Sequence, residues 1–313
     1  MEVKHTEYAK GAIHSLSLKG FFENKYNIKK RSYCNDSISF DYNDCLIIPK
    51  TGDIYNVKRI QIIEPSDDFK LESLDLYCGD VLINKFNMTM CEIMYNNNQD
   101  LNFKDIYTVN YEKNINYNIP WKEYGYQDAL KLVCVLFHNI KFKVNYSGIC
   151  RKIYLHGYHV FLENEERKIM LNKENYNFIL NTDKQEIKHE KYISSHILQM
   201  NKILLTNGLF LENFDIENII SIEIKLKDNP FIRISQYNYK YQLKKIKDNF
   251  YYLPFDENFN YLNCDINSSI NILREEKFEI IIKCNNDFIG NIYCNGFNSL
   301  KTIGGYLMLS VNY

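Results

Sequence analysis

Strict alternation of apolar and polar residues, broken at short intervals by turn residues, restricts this chain more than any other feature. Between Ile216 and Lys227, Ile220, Ile222, Ile224 and Leu226 alternate with Ser221, Glu223, Lys225 and Lys227. Likewise Ile140, Phe142 and Val144 alternate with Lys141, Lys143 and Asn145. A period of two sends successive side chains to opposite faces of a strand, so each stretch offers one face to a core and one to water. The punctuation is regular. Leu46-Ile47-Ile48 stops at Pro49, Lys50 to Asp53 makes a turn, and Val57, Ile60, Ile62 and Ile63 form a second strand that ends before Pro65. Leu74 to Tyr77, a Gly79-Asp80 turn and Val81 to Ile83 follow. Short strands with a turn about every eight to twelve residues predict an all-β sandwich or jelly roll and exclude a parallel βαβ sheet.

Composition agrees with strand. The 26 Tyr and 19 Phe suit a pleated, half-buried surface. A chain of 313 residues can bury one large core or two smaller ones. The formal charge of −1 gives no support to a general grip on nucleic acid by counterion release. Nine cysteines, an odd number, sit mostly inside apolar runs such as Leu132 to Phe137, the pattern of buried reduced thiols in a cytosolic setting, not of a secreted disulfide framework. No run approaches the roughly 18 apolar residues of a membrane span, and Met1 to His5 carries no apolar signal core. Asn-x-Ser/Thr triplets at Asn35, Asn87, Asn145 and Asn267 are expected by chance in so Asn-rich a chain.

Reactive constellations are few. His156 and His159 bracket Gly157-Tyr158, a spacing that does not by itself bring both rings to one metal. Cys284 and Cys294 lie on neighbouring strand candidates but form no Cys-x-x-Cys. His189-Glu190 lacks the second histidine of a zinc-protease helix, and Gly304-Gly305 lacks the Lys-Ser/Thr of a phosphate loop. Lys240, Lys244, Lys245 and Lys247 interleave with Tyr237, Tyr239 and Tyr241, a pattern shared by nucleic-acid stripes and by ordinary exposed strands. Asp and Glu are abundant, yet nothing places two at the working distance of a glycosidase. The expectation is therefore no catalytic residue, no cofactor-binding residue, no metal ligand and no cofactor.

The chain closes on Leu307, Met308, Leu309, Val311 and Tyr313, an apolar end that predicts a strand pinned into a sheet behind a Gly304-Gly305 break. That ending resembles the last strand of the major capsid proteins of large nucleocytoplasmic DNA viruses. Further pieces resemble the same family in order: Gly11 to Leu16 with Phe21-Phe22, Ile48-Pro49-Lys50-Thr51-Gly52-Asp53-Ile54, and Pro120-Trp121 followed by a strand through Phe137-His138. Tyr158, Phe161, Leu162, Glu163, Glu166 and Arg167, then Asn175 to Leu180, are similar to the family's entry into its second domain.

The resemblance implies two consecutive antiparallel eight-stranded jelly rolls with short helical turns in loops: an arm over 1–29, a first roll over 30–147 and a second over 151–313. It implies a structural protein, not an enzyme. Three copies would form a pseudo-hexameric capsomer tiling an icosahedral shell, in a virion assembled in the host cytoplasm. The partners would be further copies, neighbouring capsomers, minor capsid proteins and an internal viral membrane, with no direct nucleic acid. A minor capsid paralogue, a membrane-coating scaffold and a lectin-like or glycoside-hydrolysing sandwich share that architecture, because fold does not fix function.

Overall fold

The computed structural model describes residues 32–309 except 42, 97–101, 127–128, 173–174, 201–202, 204, 228, 236–241, 256–268, 273–276 and 304. The expected arm over 1–29, the chain's last four residues, Tyr237 to Tyr241 of the lysine–tyrosine stripe, Asn267 and Cys264 lie outside them.

The chain divides into two compact units. Residues 32–180 form one together with 299–309, and residues 181–298 form the other. In the first unit the strands are β1 (Ser32–Ser39), β2 (Cys45–Ile47), β3 (Ile54–Ile63), β4 (Lys70–Cys78), β5 (Val81–Asn87), β6 (Lys104–Val109), β7 (Glu112–Asn118), β8 (Ile140–Ser147) and β9 (Lys152–Phe161). One sheet runs β1-β9-β3-β7-β6 and the other β2-β8-β4-β5. All these pairings are antiparallel. Alternation decides the faces. Ile60, Ile62 and Leu155 of one sheet and Leu74, Leu76, Phe142 and Val144 of the other are buried, while Lys143 and Arg59 face water.

In the other unit come β10 (Asn175–His189, from Asn181 on), β11 (Tyr192–Ile197), β12 (Leu205–Glu212), β13 (Ile219–Leu226), β14 (Asn229–Ser235), β15 (Lys244–Lys247), β16 (Phe250–Pro254), β17 (Ile270–Asn271), β18 (Phe278–Cys284) and β19 (Phe288–Ile303, as far as Asn298). Their sheets run β10-β19-β12-β16-β15, with β17 on β12, and β11-β18-β13-β14. One core joins them: Leu209, Leu211 and Ile292 from the first sheet pack with Ile222, Ile224, Ile280 and Ile282 from the second. Ile222, Ile224 and Leu226 point inward as the alternation of 216–227 predicts, whereas Ile220, at the register slip between Ile219 and Ser221, is only half-buried and Ile219 is buried instead.

With the hairpin strands β6 and β15 and the short β17 set aside, both units have one plan. The first, eighth, third and sixth strands form one sheet, and the second, seventh, fourth and fifth form the other. The two halves show no sequence repeat; the repeat is in the pairing.

Three features differ from the sequence expectations. The strand that was to open the second roll, β9, pairs along its length with β1 and β3 and so completes the first sandwich. The strand expected through Phe137-His138 does not form there: Ala129 to Asn139 is non-strand chain with a short 3-10 turn (Leu132–Cys134), and β8 starts only at Ile140. Ala129, Leu130, Leu132 and Val135 are nonetheless buried, so its apolar character reflects a loop packed into the core. The β6–β7 hairpin is not among the strands that the alternation marks. Its turn residues Asn110 and Tyr111 both adopt positive φ, 51° and 67°, the left-handed pair that a two-residue hairpin turn needs.

Two helices fill connections. Asn87 starts α1 (Met88–Asn96), its Oδ1 accepting from the Thr89 and Met90 amides at 3.0 and 3.3 Å as an N-cap. The charged run after Glu163 is α2 (Asn164–Asn172), whose Arg167 donates to Asp53 at 2.8 Å. Asp53 is 5 % exposed and also accepts the Leu162 amide at 2.7 Å, so the turn expected at Lys50 to Asp53 ties the end of β9 to α2.

The closing strand β20 (Tyr306–Leu309) pairs with Leu300 to Ile303 of β19, with Gly305 at φ 86° in the turn. The Leu136 amide donates to the Gly305 carbonyl at 2.9 Å, and the rings of Phe137 and Tyr306 lie 5.2 Å apart. The chain's closing hairpin therefore serves the first unit.

Candidate functional site

The sequence candidates for chemistry do not converge. His156 and His159 are three residues apart on β9 and so point to opposite faces of the sheet. His156 Nε2 pairs with Gln61 Oε1 at 2.7 Å, and His159 Nε2 with Asp36 Oδ2 at 3.3 Å. Among the described residues no group of three His, Cys, Asp or Glu side chains could hold a metal ion. Cys284 and Cys294 both line the second core, but on strands of opposite sheets, and both are free thiols. Burial pushes the Cys294 thiol up to about 12, the state of an inert packing group. His189 is buried and stacks on Phe288 at 4.9 Å, a packing role, with its pKa lowered by burial and then by His196. Lys245 of the lysine run pairs with Asp248 at 2.7 Å, and Lys247 lies 5.7 Å over the Phe250 ring. The Asn145 amide donates to Ser73 and Asp75, both at 2.9 Å.

The site that sequence reasoning missed is a groove of about 710 Å³ on the sheet of the first unit. It exists because the ladder slips. Val57 pairs with Gly157 and Arg59 pairs with His156, which leaves Lys58 as an extra residue, a β-bulge. Gly157 permits the close approach of β9, since a Cβ there would lie 2.4 Å from the Tyr55 hydroxyl and 2.6 Å from the Asn56 carbonyl. The bulge turns two successive side chains, Lys58 and Arg59, to solvent in a strand whose neighbours Val57 and Ile60 are buried. The sequence carried the signal: in Val57, Ile60, Ile62 the first apolar spacing is three instead of two.

Around the bulge the groove is polar and aromatic. Lys58 Nζ donates to Asn35 Oδ1 at 3.0 Å and lies 5.1 Å from the centre of the Tyr158 ring. Buried Trp121 donates its indole N–H to buried Asn56 Oδ1 at 3.0 Å on the groove wall. Lys122, Glu123 and Tyr95 contribute from the β7–β8 connection and α1. Burial, and then the Arg59 guanidinium, hold the His156 pKa below the ordinary imidazole range. These groups can bind and orient a polar ligand. They include no base-activated nucleophile.

No protein-family model matches the chain, and no curated protein is significantly similar to it. Solved structures are similar. A quasi-atomic model of the PBCV-1 virus capsid superposes with a TM-score of 0.65 at 11% identity, over 94% of this chain and 100% of that one. The Faustovirus major capsid protein gives 0.54 at 7% identity, over 94% and 98%. The major capsid protein P2 from bacteriophage PM2 gives 0.52 at 9% identity, over 91% and 100%. The chain is a double jelly roll. Its two sandwiches, with the same 1-8-3-6 and 2-7-4-5 strand orders, are the two rolls, and the Lys58 groove lies on the first. At identities of 7–11% the likeness is one of fold.

Proposed function

We propose that the chain is a structural viral capsid protein and not an enzyme. The observation that carries this reading is the repetition of one jelly-roll strand order within a single chain, together with the similarity of the whole chain to major capsid proteins. Two alike rolls per chain give six alike corners in a three-fold assembly, so three copies make a capsomer of pseudo-sixfold outline that tiles an icosahedral shell. The shell belongs to a virion assembled in the host cytoplasm, and the partners are further copies, neighbouring capsomers, minor capsid proteins and an internal viral membrane. The arm over 1–29 precedes a first roll that closes with β9, and the second roll begins with β10.

Closed sandwiches suit high copy number because they leave few free strand edges for indiscriminate pairing. The test is the mass and outline of the purified protein. Light scattering on a sizing column is expected to return three times the 37.4 kDa of one chain, and electron microscopy a hexagonal top view. A monomer, or a particle without that outline, sinks the proposal.

A further inference from the structure

We propose that the groove at the Lys58 bulge binds an acidic saccharide, its carboxylate or sulfate held by Arg59 and Lys122 and its ring lying against Tyr95 and Tyr158. Three cations line the groove, Lys58, Arg59 and Lys122, and among the described residues none of them is in an ion pair. Lys58 is satisfied by a neutral amide and an aromatic face. Of the two carboxylates in the wall, Asp36 accepts the Ser37 amide at 2.8 Å and pairs with His159, and Glu123 also has a partner. The formal sum, three cations against Asp36 and Glu123, is one positive charge, in a protein whose whole chain carries −1.

The remaining lining selects among anions. Tyr95 and Tyr158 bring aromatic rings, the latter with Lys58 over it, and Asn35 and Asn118 bring amides. The Asn35 oxygen accepts from Lys58 and the Asn118 nitrogen donates to Asn102 and Asp105, which leaves the Asn35 N–H and the Asn118 oxygen to a sugar's hydroxyls. A volume of about 710 Å³ falls within the roughly 300–1,000 Å³ typical of small-ligand pockets. Arg59 supplies a planar fork that suits a carboxylate or sulfate. The groove is also built and not incidental: the bulge sets Lys58 and Arg59 side by side, and Gly157 is needed for the strand pairing that creates it. This inference is independent of the capsid reading, since a sandwich of any function could carry the groove.

The experiment is ligand-observed NMR and titration calorimetry on the full chain with four probes: sialyllactose, a sulfated heparin disaccharide, neutral lactose and inorganic sulfate. At least one acidic sugar is expected to bind tenfold or more tightly than lactose and than sulfate alone; which one binds separates carboxylate from sulfate as the recognised group. R59M and K122M, both at exposed positions, are each expected to weaken that binding at least fivefold with the melting temperature unchanged. K245M on the second roll is expected to leave it unaltered. Equal binding of lactose, sulfate alone binding as well as the acidic sugar, binding that survives both groove variants, or no binding by either acidic sugar overturns the proposal.

Discussion

Strands β3 and β12 occupy the same place in the two rolls. Each is third in its roll, and each lies between the last and the sixth strand, β9 and β7 for one, β19 and β16 for the other. Each also carries a register slip against the last strand, between Val57 and Arg59 in β3 and between Thr206 and Leu209 in β12. The outcomes are opposite. In β3 the slip exposes Lys58 and Arg59 and opens a polar groove. In β12 every residue from Leu205 to Leu211 is buried, and the Thr206 hydroxyl is used internally, 3.0 Å from the Gly208 and Asn295 carbonyls. The pairing scheme repeats the irregularity, while the residue types at it decide whether it becomes a surface or a closed piece of packing.

The largest expected effect tests whether the two strands carry equal weight in their cores. Ile60 and Leu209 are both 0% exposed, so Ile60→Ala and Leu209→Ala should each cost about 3 kcal/mol of stability in urea titrations. A cost under about 1 kcal/mol at either site would break the equivalence of the rolls.

Next come the glycines at the slips. A Cβ at Gly157 meets Tyr55 and the Asn56 carbonyl, and one at Gly208 meets the Leu253 carbonyl at 2.5 Å and the Tyr252 hydroxyl at 2.6 Å. Each Gly→Ala change should destabilise by about 1–3 kcal/mol, the usual range for overpacking. Only Gly157→Ala should also weaken ligand binding in the groove, and calorimetry on both variants separates the two effects.

The rolls should also differ in acid. His189 and His196 in the second roll and His156 in the first are all held below the ordinary imidazole range, primarily by burial. A histidine with a lowered folded pKa binds its proton more readily in the unfolded chain. Its contribution is complete above the unfolded value of about 6.5 and is lost as the pH falls below that. Hydrogen exchange at pH 7.5 and 5.0 should therefore show the β10–β11 segment losing more protection than β9, and His189→Leu should reduce the difference. Equal loss in both rolls would contradict the assignment.

The smallest effect is expected on the exposed ion pairs. Arg151 bridges Glu112 at 2.8 Å in the first roll, and Arg233 reaches Glu223 at 2.9 Å in the second. Replacing either arginine by glutamine should change stability by no more than about 1 kcal/mol, and thermal melts that show more would mean that their further partners, Glu64 at 3.3 Å from Arg151 and Lys225 at 4.0 Å from Glu223, make each pair part of a cooperative network.

Much of the fold was legible beforehand. Ile222, Ile224 and Leu226 face inward as their spacing requires, and so do Ile140, Phe142 and Val144. The β6–β7 hairpin was not legible, because its turn is Asn110-Tyr111 and a tyrosine is an unexpected residue at positive φ. The strand expected through Phe137-His138 is absent because the apolar content of the run before it reports burial and not backbone conformation. The groove left only a trace, the spacing of three at Val57 to Ile60. Its other walls come from Asn35, Tyr95, Lys122 and Tyr158, which lie so far apart in the chain that no local pattern groups them.

By itself the sequence determined the kind of element and the face each one buries, because a period of two is a local property that survives any arrangement of strands. Which strand lies beside which was decided only in three dimensions. Every strand offers the same ladder of N–H and C=O groups, so nothing local tells β9 that it completes the first roll, or the closing hairpin that it packs beside Leu136 and Phe137. The two cations at the Lys58 bulge likewise become neighbours of Tyr158 only when strands about a hundred residues apart along the chain pair with a one-residue slip.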